Sequence, residues 1–169
     1  MTNNNIILVD EFDREIGTAE KMAVHRTGRL HRAFSILIFN CQGEMLLQKR
    51  ARGKYHGGGL WTNACCSHPR TGMPIRREAR RRLFEEMGIR CELKEIFSFT
   101  YRAEFDNGLV ENEYDHVFLG TSDAEPQPDP AEAEDWRRVG LKELRAEMAR
   151  EPERFTPWFR IIMEKLGGA

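Results

Sequence analysis

Long apolar runs are missing from this chain. Nothing approaches the stretch of about 20 residues that a membrane-crossing helix needs, so no membrane association is expected. A dominant sign of charge is missing as well: 26 basic residues stand against 27 acidic ones, a net charge of −1, and no global field argues for nucleic acid or a lipid surface as partner. Cysteine is scarce. Four thiols (Cys41, Cys65, Cys66 and Cys91) in a chain whose start, Met1-Thr2-Asn3-Asn4-Asn5, has neither a basic head nor an apolar block point to reduced cysteines and a cytoplasmic setting, not to a disulfide frame. Internal repeats are absent too.

The 169 residues suffice for one compact domain, 1–169, that buries roughly two thirds of its unfolded surface. A monomer is expected. Strands are expected at Asn5 to Val9, at His31 to Phe39, whose apolar end suits a strand buried on both faces, and at Glu44 to Arg50. Between the first two, Asp10 to Gly17 reads as a hairpin turn, and Ala19 to Arg26 as one or two helical turns ended by Gly28. Arg52 to Gly59 holds four glycines with Lys54 and His56, the composition of a flexible basic loop.

Leu60 to Cys66 resumes extended structure. The spacing then predicts a helix from about Pro74 to Met87, stopped by Gly88. Ile89 to Tyr101 and Leu109 to Leu119 read as paired strands around the turn Asp106-Asn107-Gly108. An acidic, proline-rich loop from Thr121 to Asp135 leads to a short strand at Trp136 to Val139 and a helix at Leu141 to Arg150. Thr156 as N-cap and Pro157 at the first helical position open a last helix. Strands mixed with helices in this order suggest an α/β sandwich on a mixed sheet.

Several residues could carry chemistry. His25, His31 and His68 fall near element ends, and Glu111 and Glu113, two apart on a strand, share a face. A set of three imidazoles and two carboxylates suits a divalent ion such as Mn²⁺, Zn²⁺ or Mg²⁺; the alternative is surface histidines beside a solvated acidic face. Cys66 is either an acid or nucleophile or a small buried hydrophobe, while Cys65, pointing the other way, belongs to packing. Arg82 and Glu86, four apart on one helix, either pair in solvent or contribute to an anion site, with Lys21, Arg50 and Lys54 arriving from other segments. Trp158 is a core anchor or a π-face for a developing cation, and Tyr101 a packing residue or a donor to a carboxylate.

The ordered set His25…His31, Trp61-Thr62-Asn63-x-x-Cys66-Ser67-His68-Pro69, Glu85-Glu86-Met87-Gly88, Glu111-Asn112-Glu113 and Pro157-Trp158 resembles the type 1 isopentenyl diphosphate isomerases of the Nudix superfamily. The resemblance runs from about Ile6 to Trp158. It implies a Nudix-type α/β/α sandwich with a mixed β-sheet, and interconversion of isopentenyl and dimethylallyl diphosphates by proton transfer at opposite ends of an allylic unit. It further implies that His25, His31, His68, Glu111 and Glu113 bind one metal, Mn²⁺, Zn²⁺ or Mg²⁺, with Cys66 and Glu113 as the proton-transfer pair. Glu86, with the Cys66 carbonyl and the diphosphate, would hold a bridging Mg²⁺. Lys21, Arg50, Lys54 and Arg82 would contact the diphosphate, Tyr101 would hydrogen-bond the catalytic glutamate, and Trp158 would lie beside the cationic carbon.

Ser67, Met73 and Arg82 depart from the general Nudix pattern, which carries glycine and two glutamates there. Loss of those carboxylates weighs against the rival reading, a diphosphate hydrolase. Gly57-Gly58-Gly59 replaces a stiffer loop bearing an aromatic and a proline, and a looser substrate loop is expected from it; Ser67 is expected to perturb the backbone near Cys66.

Overall fold

A computed structural model describes residues 4–168, so most of the polar start Met1 to Asn5 lies outside the described residues. Among the described residues, nine strands form one mixed sheet. They are β1 (Asn5–Val9), β2 (Glu15–Glu20), β3 (His31–Phe39), β4 (Glu44–Arg50), β5 (Trp61–Asn63), β6 (Cys65–Ser67), β7 (Lys94–Glu104), β8 (Val110–Thr121) and β9 (Ala133–Gly140). Helices α1 (Lys21–Thr27), α2 (Ile75–Met87), α3 (Leu141–Arg150) and α4 (Pro157–Gly167) complete the fold. None of the described helices is long and apolar enough to cross a membrane.

The apolar run in β3 makes it the hub. It pairs antiparallel with β1, β4 and β6 and parallel with β8, the last over nine register pairs from His31↔Glu113 to Phe39↔Thr121. Its alternate residues feed two cores. Leu37 joins Trp61, Phe99, Tyr101 and the α4 residues Trp158, Phe159 and Ile162 on one face, whereas Phe34, Ile36 and Ile38 join Cys65 and the α2 residues Ala79, Leu83 and Met87 on the other. A strand buried on both sides with helices covering each face gives the expected α/β/α sandwich.

Boundaries differ where a turn signal and a strand share residues. The hairpin turn is shorter than expected, because β2 begins at Glu15, and Ala19 and Glu20 belong to β2 while α1 starts at Lys21. The Glu20 carboxylate accepts hydrogen bonds from the Met22 and Ala23 amides and so fixes that helix start. Leu60 to Cys66 is not one strand. Asn63 donates to the Ile36 and Cys65 carbonyls, breaking the run at Ala64, so that β5 pairs with β4 and β6 with β3. Residues 89–93 are irregular, because Ile89 and Leu93 are spent filling the α2 core rather than pairing. Strand β9 extends beyond the expected Trp136 to Val139, since Ala133 to Gly140 zips along β4.

Thr156 holds the expected cap position with extended backbone, but its hydroxyl caps nothing. It pairs instead with Thr62 Oγ1 at 2.8 Å, while its amide donates to the Trp61 carbonyl at 3.0 Å. Both threonines are fully buried, and a buried hydroxyl without a partner costs more than an unfilled cap. The pair ties the start of α4, and with it Trp158, to β5.

Candidate functional site

Strand pairing assembles a buried cluster of imidazoles and carboxylates. The β3–β8 register sets His31 beside Glu113, and the two-residue period of β8 turns Glu111, Glu113 and Asp115 inward together. Helix α1 brings His25, and His68 follows directly on β6. One ligand atom from each of His25, His31, His68, Glu111 and Glu113 lies within 4.8 Å of all the others.

Hydrogen bonds aim these rings. His25 Nδ1 lies 2.6 Å from the Lys21 carbonyl and His31 Nδ1 lies 2.8 Å from the Arg29 carbonyl. A carbonyl can only accept, so each Nδ1 carries the proton and each Nε2 turns its lone pair into the cluster. Both Nε2 atoms are buried without a hydrogen-bond partner among the described residues. Burial pushes Glu111 and Glu113 upward, yet His25 and His56 hold Glu111 well below the usual carboxylate range, and His31 and His68 hold Glu113 below it. Burial brings His68 down to about 4, in the neutral form that a metal takes; it also opposes charge on His25, but the Glu111 carboxylate beside that ring raises it. Orphaned imidazole nitrogens facing two buried carboxylates fit a divalent cation.

A cavity adjoins this cluster, lined by Cys66, Tyr101, Glu113 and Trp158. Burial pushes the Cys66 thiol up to about 12 against the pull of Arg50, whose Nη1 lies 4.0 Å from Sγ. Cys66 and Cys65 face opposite sides of the sheet, as expected, Cys65 toward α2 and Cys66 toward the other core. Tyr101 Oη donates to Glu113 Oε2 at 2.6 Å, and His68 Nε2 lies 3.0 Å from Oε1. Trp158 is both of the things expected of it: a buried core residue and part of the cavity wall.

Basic groups line the rest of the cavity. Lys21, Arg50, Lys54 and Arg82 all reach it, together with Glu86 and Glu132. Arg82 Nη2 donates to Glu86 Oε1 at 2.6 Å and to Glu132 Oε1 at 3.0 Å, and Lys54 Nζ lies 2.5 Å from Glu132 Oε2. The Arg82–Glu86 pair therefore belongs to the cavity, not to a solvated helix face. Burial raises the Glu86 carboxyl, although Arg82 opposes the shift. Ser67 accepts a hydrogen bond from Arg82 Nε at 3.2 Å, so the residue expected to disturb Cys66 helps to aim the guanidinium. Arg50 is the most deeply set of the four: its Nε and Nη2 donate to the His56 carbonyl at 3.3 and 3.1 Å, and its guanidinium carbon lies 5.3 Å from the Trp158 ring centre.

Nor is the glycine loop slack. Gly57 and Gly59 adopt left-handed φ of 59° and 78°, and a Cβ on Gly58 would lie 2.6 Å from the Arg52 carbonyl oxygen, so the fold demands glycine here. The loop is fastened from outside by Asn107, at the tip of the β7–β8 hairpin, which donates to the Tyr55 carbonyl at 2.6 Å. Four groups at the site escaped the sequence reading. The alternation of β8 predicts an inward Asp115, and burial with the adjacent Glu113 raises that carboxyl well above its usual range. Tyr55 and His56 sit in a glycine-rich loop with no periodicity to follow, and Glu132 lies in an acidic segment read as surface.

Comparison with known proteins agrees with this geometry. Residues 29–159 match the model of the NUDIX domain. The chain is 53% identical over 163 residues to isopentenyl-diphosphate Delta-isomerase 1 of Aromatoleum aromaticum, covering 96% of this chain and 92% of that protein. It is 51% identical over 162 residues to the isopentenyl-diphosphate Delta-isomerase of Serratia proteamaculans, covering 96% and 90%. Among solved structures, DR0079 from Deinococcus radiodurans superposes with a TM-score of 0.72 at 20% identity, covering 86% of this chain and 89% of that one, which bears on the fold alone. The chain belongs to the Nudix family, in its branch of isopentenyl-diphosphate Delta-isomerases.

Proposed function

We propose that the cavity interconverts isopentenyl and dimethylallyl diphosphates by moving one proton onto, and another off, opposite ends of an allylic unit. The observation that carries this reading is a single cavity with a thiol, a carboxylate and an indole in its wall beside four basic side chains. Lys21, Arg50, Lys54 and Arg82 bind the diphosphate, and that remote binding energy orients the five-carbon unit. Glu132 pairs with both Lys54 and Arg82 in the same cavity.

Protonating an unactivated alkene creates a tertiary cation, so the wall around it must be dry and electrostatically prepared. Cys66 and Glu113 stand on different strands and take opposite parts: one delivers the proton to the alkene, the other receives the proton lost, and the roles exchange with reaction direction. Tyr101 fixes the Glu113 carboxylate, and the Trp158 ring offers its π-face to the cationic carbon.

A divalent ion held by His25, His31, His68, Glu111 and Glu113, as Mn²⁺, Zn²⁺ or Mg²⁺, would supply positive charge that orders Glu113. Glu86 and the Cys66 carbonyl stand as candidates for a Mg²⁺ shared with the diphosphate. A cytoplasmic, monomeric, single-domain enzyme (1–169) of isoprenoid biosynthesis completes the reading.

Hydrolysis of a diphosphate is the weaker alternative, because Met73 and Arg82 stand where that chemistry wants carboxylates. Isopentenyl diphosphate incubated in D₂O with Mg²⁺ separates the two. Deuterated dimethylallyl diphosphate without free phosphate is the expected result; phosphate release without isomer would overturn the reading.

A further inference from the structure

His56 lies outside the five-residue cluster, yet its ring stands where that cluster meets the proton-transfer wall. Its Nε2 contacts Glu111 Oε1, while Oε2 of the same carboxylate faces His25 Nε2 at 3.3 Å and His31 Nε2 at 3.7 Å. The two oxygens of Glu111 are thus divided, one to the cluster and one to the loop.

The ring is buried and held on every side. It packs on Tyr55 at 4.2 Å between ring centres, on Phe105 at 5.1 Å and on Trp158 at 5.6 Å. Its carbonyl takes both hydrogen bonds from Arg50, and the preceding carbonyl takes the one from Asn107. A ring fixed this firmly can impose its geometry on a carboxylate. A carboxylate only accepts, so the close Nε2–Oε1 contact places the ring proton on Nε2, and Nδ1, which meets no hydrogen-bond partner among the described residues, keeps its lone pair.

We propose that His56 is a positioning residue of the metal centre: by occupying Glu111 Oε1 it leaves Oε2 alone to meet the ion and prevents the carboxylate from turning away. This rests on the reading of the five-residue cluster as a metal site. A ligand carboxylate with an unengaged second oxygen can swing or chelate through both atoms, and either alternative spoils a geometry shared with three imidazoles. Partners that fix a ligand from behind are typically worth 10- to 100-fold in metal affinity. The loop residue therefore sets how tightly the cluster holds its ion while contributing no ligand of its own.

The test is metal binding by the metal-free full chain, with Mn²⁺ followed by calorimetry and Zn²⁺ by competition with a chromophoric chelator. Wild type, His56→Ala, His56→Gln and Glu111→Gln are compared, and the ion-dependent rise in Tm is recorded for each. His56→Ala should weaken binding about 10- to 100-fold at unchanged one-to-one stoichiometry. His56→Gln, whose amide nitrogen can donate to the same oxygen, should recover most of the loss. A merely structural role would lower the metal-free Tm and leave the ion-dependent rise intact, which overturns the proposal. So would equal losses in His56→Ala and His56→Gln, the signature of a direct ligand. Wild-type affinity in His56→Ala sinks this inference alone, whereas a wild-type protein that binds neither ion sinks the metal-site reading with it. Should His56→Ala fail to fold, His56→Gln and His56→Asn, judged against each other, decide the matter: Asn is too short to reach Glu111 and should bind weakly.

Discussion

Tyr101 and Glu113 face each other across the β7–β8 register, and the phenol donates a 2.6 Å hydrogen bond to the carboxylate. Strand pairing alone delivers the donor to the base. Burial and the adjacent carboxylate raise Tyr101 well above its usual range, so it stays a donor and does not itself give up a proton to solution.

Tyr101→Phe keeps the ring in its core and removes only that hydrogen bond. A hydrogen bond to a charged group is worth about 1.5–3 kcal/mol, so kcat should fall about 10- to 100-fold. The KM for isopentenyl diphosphate should stay close to wild type, because the phenol touches no phosphate-binding group. Steady-state kinetics give both values; a changed KM at unchanged kcat would remove Tyr101 from the proton-transfer step.

Cys66→Ala and Glu113→Gln should each reduce isomerisation by about two to four orders of magnitude, the range expected when a positioned acid or base is lost. Neither change should unfold the chain, since Cys66 is small and glutamine keeps the shape of glutamate; circular dichroism checks this. Near-normal turnover in either variant would strike that residue from the pair.

Trp158→Phe retains an aromatic face against the cavity but a weaker one. A desolvated cation–π contact is worth about 2 kcal/mol, and phenylalanine keeps part of it, so a loss of roughly 3- to 30-fold in kcat is expected. Trp158→Leu should lose more. Equal rates for the two variants would mean that the indole acts through packing alone.

Much of this arrangement is legible in the sequence because it rests on short-range rules. The i, i+2 spacing of Glu111 and Glu113 fixes a shared face once β8 is a strand, and adjacent Cys65 and Cys66 must part to opposite faces. What the sequence does not convey is register between distant segments. Nothing local in Thr62 or Thr156 foretells that their hydroxyls meet across 94 positions, nor that Glu132, from an acidic surface-like stretch, folds back onto Lys54 and Arg82. His56 was hidden for a different reason: glycines give a segment freedom in isolation, and only the Asn107 and Arg50 contacts turn that freedom into one fixed geometry. Gly58, against the Arg52 carbonyl, shows the same inversion, a residue that reads as flexibility and serves as close packing.

Stability should carry its own pH signature, away from the cavity. Glu78 on α2 is fully buried, and its carboxylate accepts hydrogen bonds from Arg70 Nε and Nη2 at 2.9 and 2.8 Å and from Arg81 Nη2 at 2.9 Å. Burial alone would raise its pKa, but the two guanidinium groups outweigh burial and bring it down to about 2, from an ordinary value of 4.5. A depressed carboxylate binds its proton more weakly in the folded state than in the unfolded one. Its contribution is therefore complete above about pH 4.5 and is lost as the pH falls toward 2. Glu78→Gln should be less stable than wild type by about 1–3 kcal/mol at pH 7. The gap should close progressively on acidification, because other titrating groups are common to both proteins and cancel in the difference. Urea unfolding of the two proteins at pH 7, 4 and 3 measures it. A gap of constant size across that range would show that packing, not the charge on Glu78, accounts for the loss.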